Sequence, residues 1–129
     1  LQEEAFAALD PVLLELCRLR IATLLGDTEE QARRAPAALE AGLTEAKVAE
    51  LPSWPDSPLF DERERACLAF TEMFVGDVSG ITDADAAAVL EALGPARFHG
   101  FTTSLLAFDQ HQRLRLAMLR VLGAPEDAS

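Results

Sequence analysis

Helix start and stop signals recur along the whole chain, and they narrow the fold class before composition is considered. Asp10-Pro11 joins an N-cap residue to a proline at the first helical position, where the missing N–H would have had no partner anyway. Asp27-Thr28 opens a second helix, with Glu29 and Glu30 in the first turn where the dipole favours acids. Thr44 caps a short helix expected to reach about Leu51. Asp61-Glu62-Arg63-Glu64 is a capping-box variant, and Thr82-Asp83-Ala84-Asp85 caps another helix. Gly26, Gly42 and Gly94 stand where helices should stop. No strand-like alternation, hairpin dipeptide or fixed-period repeat appears. The expectation is an all-α chain.

Between these signals the segments differ in character. Val12 to Leu25 is apolar almost all round, broken only by Glu15, Arg18, Arg20 and Thr23, so it should be buried in a core or a subunit interface. Pro36 sits awkwardly in the helix opened at Asp27 and should kink it. Pro52 to Pro58 holds three of the seven prolines and reads as an irregular connection. Ala66, Cys67, Ala69, Phe70, Met73 and Phe74 follow helical spacing until the break from Gly76 to Gly80. Pro95 starts the last helix, with Phe98, Phe101, Leu105, Phe108 and Leu116 on one face, room for a bend near Gly100, and an end at Val121 or Leu122. Gly123 to Ser129 is expected to fray, residues 124–129 as a disordered tail.

A length of 129 residues suits a single domain spanning 1–129, and half the residues are hydrophobic, enough for a core. The formal net charge of −11, with ten arginines and Lys47 as the single lysine, argues against nucleic acid and anionic membrane surfaces as partners. No apolar run is long enough to span a bilayer, and the start lacks a basic, apolar leader pattern. The expected setting is the reducing cytoplasm, and the arginine- and alanine-rich usage hints at a bacterial source.

General catalytic motifs are absent: no phosphate-cradling glycine loop, no nucleophile elbow, no histidine pair at metal spacing. His99 and His111 read first as structural or surface groups, although His111 has Asp109, Gln112 and Arg113 nearby. Cys17 and Cys67 are too far apart in sequence for a redox motif and read as packed core thiols. Arg18 and Arg20 beside Cys17 leave a reactive thiol there as an alternative.

The most informative stretch begins with Leu14-Glu15-Leu16-Cys17-Arg18-Leu19-Arg20-Ile21-Ala22, then Gly26, Ala38 and Ala41-Gly42-Leu43. It continues through Trp54, Ser57 to Ala66, Gly80-Ile81-Thr82-Asp83, Phe108 and Arg113-Leu114. In this order the strings resemble the carboxymuconolactone decarboxylase-like family, and most closely its alkyl hydroperoxidase D-like (peroxidase-related, antioxidant) branch. The resemblance implies an antiparallel helical domain that assembles as a homo-oligomer: a dimer, trimer or hexamer. Peroxidase-type members of that family begin a helix with Cys-x-x-Cys, followed by a histidine one turn on, and use a relay glutamate from the preceding helix. A helix N-terminus lowers thiol pKa, and the histidine can carry the proton.

Aligned in this way, Glu15 takes the relay position, but Asp27 and Glu30 stand where the two thiols would be, and Arg34 where the histidine would be. Carboxylates cannot form a disulfide, so this site cannot run a thiol cycle. Glu30 and Arg34 have the four-residue spacing that favours an ion pair, so a Glu15–Arg34–Glu30 cluster is expected in the old pocket. It reads either as a salt bridge replacing a dead site or as a polar pocket for a small ligand. The candidate pocket residues are therefore Glu15, Asp27, Glu30, Arg34 and His111, with no cofactor and no metal expected. The favoured reading is a non-thiol, ligand-binding or catalytically altered oligomer. The alternative is an enzyme, using acid–base chemistry through Glu15 with His111, or Cys17 as a one-cysteine peroxidase.

Overall fold

The computed structural model describes residues 9–122, and every regular element within them is helical. Seven α-helices follow in order: α1 Pro11–Leu25, α2 Thr28–Ala32, α3 Pro36–Glu40, α4 Glu45–Ala49, α5 Glu62–Gly76, α6 Asp83–Leu93 and α7 Pro95–Leu122. Short 3-10 turns at Leu51–Asp56 and Val78–Gly80 link α4 to α5 and α5 to α6. The expected fraying of the tail lies outside the described residues, as does most of the segment read for a leader. None of the described helices is long and apolar enough to cross a membrane.

The local signals act where they were read. Asp10 accepts a hydrogen bond from the Val12 amide at 2.9 Å, and Gly26 closes α1 at φ 75°, a conformation costly for residues with a Cβ. Asp61 and Glu64 form a reciprocal capping box on α5, and Thr82 and Asp85 form another on α6. Pro36 does more than kink its helix. The chain leaves helix at Arg33, Ala35 is extended as a residue before proline prefers, and Pro36 restarts as the first residue of α3. The helix capped by Thr44 stops at Ala49, and the proline-rich connection tightens into a 3-10 turn that buries Trp54. Gly100 causes no interruption of α7.

α1 is the central element, packing against both α5 and α7. Leu13, Leu16, Cys17 and Ile21 are wholly buried, in one apolar cluster with Cys67, Leu68 and Phe70 of α5 and Phe101 and Leu105 of α7. Phe70 meets the Phe98 ring edge-on at 6.1 Å, a favoured aromatic geometry. Because α1 is covered on several sides, its charged residues Glu15 and Arg18 are also buried. Those two residues define the site.

Candidate functional site

Glu15 and Arg18 lie three residues apart on α1, so both point to the same side of the helix. Arg18 grips Glu15 as a two-pronged fork: Nε donates to Oε1 at 2.8 Å and Nη2 to Oε2 at 2.6 Å. The rest of the guanidinium reaches α2 and the turn after it. Nη1 donates to Glu30 Oε1 at 2.7 Å and to the Glu30 carbonyl at 3.2 Å, while Nη2 also donates to the Arg33 carbonyl at 2.8 Å. A guanidinium has five N–H donors, and all five are engaged. The Ala35 amide completes Glu15 by donating to Oε2 at 2.9 Å.

Glu30 is shared. Arg33 donates to its Oε2 from Nε at 3.3 Å and to its Oε1 from Nη2 at 3.1 Å. These bonds from Arg33, with the charges of Arg33 and Arg18, outweigh partial burial and hold the Glu30 carboxyl below the usual glutamate range. Burial opposes the charge on Arg18, but its bonds to Glu15 and Glu30 prevail and raise its pKa. Two carboxylates and two guanidiniums thus form a neutral cluster tying α1 to α2 and to the turn before α3.

The expected cluster of Glu15, Arg34 and Glu30 therefore needs correction: Glu15 and Glu30 do come together, but Arg18 joins them and Arg34 does not. The four-residue pairing of Glu30 with Arg34 required helix through residue 34, and the helix has already ended. Arg34 instead donates to Glu45 at 2.8 and 3.0 Å, on the outer side of α4. In the sequence Arg18 stands out as a polar break in an apolar helix and a neighbour of Cys17, not as a partner of Glu15. The signal that could have found it was its three-residue spacing from Glu15 inside an otherwise apolar helix.

Asp27 caps α2 through the Glu30 amide at 3.1 Å and pairs with Arg115 of α7, which also reaches Glu29 at 2.7 Å. Its Oδ2 is buried without a hydrogen-bond partner among the described residues. Gln112, one turn before Arg115, is buried as well and donates to the Arg18 carbonyl at 3.5 Å. His111 is exposed on α7 and makes no bond to Glu15, whose oxygens face Arg18 and Ala35. Cys17 and Cys67 are fully buried; burial drives the Cys17 thiol far above its ordinary range and pushes Cys67 up to about 12.

Above the ion cluster opens a cleft of about 310 Å³, walled by Pro11, Leu14, Ala35, Ala37, Ala38 and Phe108. Glu15, Arg18 and Arg33 form its polar part. An apolar hollow with a few convergent polar groups is the usual form of a small-molecule site. No group of three or more His, Cys, Asp or Glu side chains among the described residues is placed to hold a metal ion.

The family model for the carboxymuconolactone decarboxylase family matches residues 2–73, more than half of the chain. The chain belongs to that family. The matched region contains Glu15, Arg18, Asp27, Glu30, Arg33 and every wall of the cleft except Phe108, which α7 supplies from outside it. No curated protein matches the chain.

Proposed function

We propose that this chain is a non-thiol member of its family, of the alkyl hydroperoxidase D-like branch, which binds a small molecule in the cleft instead of cycling a disulfide. The observation that carries this reading is the buried two-pronged pairing of Glu15 with Arg18. A general base must bring an accessible lone pair to its substrate's proton, and Glu15 is only 3% exposed. Glu15, in the relay position, has both oxygens committed to Arg18 and one of them also to Ala35. The positions that the resemblance gives to thiols hold Asp27 and Glu30, each bound to an arginine. Cys17 lies in the core without exposure, which weighs against a one-cysteine cycle. The surroundings favour holding a ligand over transforming it.

Binding of a neutral fluorescent arylamine tests this. Its emission should rise on mixing with the native protein and stay flat with Ala37→Trp, which fills the cleft from an exposed helical position. Helicity by circular dichroism should be the same for both. Equal emission with the two proteins would place the probe elsewhere and remove the support for a cleft ligand.

A further inference from the structure

The cleft's polar end has an asymmetry that names a ligand chemistry. Glu15 has no oxygen free of a bond, and Arg18 has no N–H to spare. Arg33 differs. Its Nε and Nη2 hold Glu30, but its Nη1 amino group has no hydrogen-bond partner among the described residues, and its side chain is 58% exposed. Glu15 keeps one acceptor site on Oε1, but it is only 3% exposed, so the accessible uncommitted hydrogen bonding among the charged side chains lining the cleft is donor in kind and lies on a permanent cation.

The other side chains lining the cleft are hydrocarbon: Leu14 and Pro11 of α1, Ala35, Ala37 and Ala38 at and within α3, and the Phe108 ring. A ligand complementary to both ends has one anionic head and a compact apolar body. A dication or polyol would face unmatched apolar walls, and a pure hydrocarbon would leave Arg33 unanswered. A second carboxylate would meet no second free donor and would approach Glu15 and Glu30.

Resting on the cleft-binding reading above, we infer that the cleft takes an apolar monocarboxylate, with Arg33 as the residue that selects the carboxylate head. The neutral cluster beneath favours this arrangement. Arg18 keeps Glu30 in place without Arg33, so Arg33 can turn part of its fork to a ligand while Glu30 stays paired.

Competition against the bound arylamine separates this inference from the reading on which it rests. Octanoate should displace the probe at about tenfold lower concentration than 1-octanol, the low end for a charge-assisted hydrogen bond at a part-exposed site. From hexanoate to octanoate, affinity should rise about fourfold per methylene, as expected for hydrocarbon entering an apolar site. In Arg33→Gln the preference for octanoate over octanol should vanish. The charge-matched control Arg97→Gln, on exposed α7 surface, should keep the preference. Probe binding with equal competition by octanoate and octanol would overturn the carboxylate assignment and leave the cleft reading standing. A preference that survives Arg33→Gln, or is lost equally in Arg97→Gln, would overturn the role of Arg33. Failure of the arylamine to bind would overturn both.

Discussion

Arg18 is the residue on which the site depends, because it alone touches both buried carboxylates. Removing it with Arg18→Met leaves Glu15 and Glu30 facing each other in partly dry surroundings, with Arg33 near only one of them. Breaking a buried ion pair by deleting one partner costs about 3–5 kcal/mol. We expect a loss of that size in the urea unfolding of Arg18→Met, and a smaller one for Arg33→Met. The Glu30 carboxyl, held low by Arg33 and Arg18, makes stability depend on pH with a definite sign. Its contribution is complete above the ordinary value of 4.5 and is lost as pH falls through its depressed folded value. The acid limb of the unfolding midpoint should therefore steepen below pH 4.5 in the native protein, and less so in Glu30→Gln. The two cysteines work in the opposite direction. Their raised pKa values stabilise the fold below the ordinary thiol value of 9.0, and that contribution fades at higher pH. A maleimide at neutral pH should label neither Cys17 nor Cys67 until urea is added.

At the scale of elements, the ion pairs differ in what they join. Arg115 connects the far half of α7 to the corner between α1 and α2, where Asp27 is 1% exposed. Arg115→Met strands that carboxylate, and a cost of about 2–3 kcal/mol is expected from urea unfolding. Helix boundaries were legible in the sequence because capping is local: Asp10, Asp61 and Thr82 each bond to an amide within three residues. The split at Pro36 was only half legible. A proline's effect on a helix depends on whether the preceding turn can leave helical geometry, and here Arg33 is extended, with its carbonyl accepting from Arg18. The same event hid the identity of the site's cation. Once residue 33 is extended, Arg33 keeps its three-residue pairing with Glu30, but Arg34 leaves the four-residue register and reaches Glu45 instead. The partnership of Arg115 with Asp27 spans most of the chain and had no local signal at all.

Across the whole molecule, the burial of α1 on several sides by both early and late helices favours one cooperative unit. A single urea transition, coincident by circular dichroism and Trp54 fluorescence, is the expected outcome. The long α7 presents Leu114, Met118, Val121 and Leu122 to solvent, each at least 49% exposed, at spacings that align them along one side. A continuous apolar stripe of this kind is a common mark of an association surface. We propose that it serves a homo-oligomer, and sedimentation at micromolar concentration should give a mass above the monomer's 13.9 kDa that falls toward it in Leu114→Glu/Met118→Glu. A native monomer would remove that assignment.

The most direct measurement is consumption of an alkyl hydroperoxide, with a dithiol as reductant, by the native protein and by Cys17→Ser. With Glu15 bound into the Arg18 cluster and both thiols buried, consumption should match that of the reductant alone and be the same for both proteins. Protein-dependent consumption that disappears in Cys17→Ser would contradict the reading of this site as one that binds without thiol chemistry.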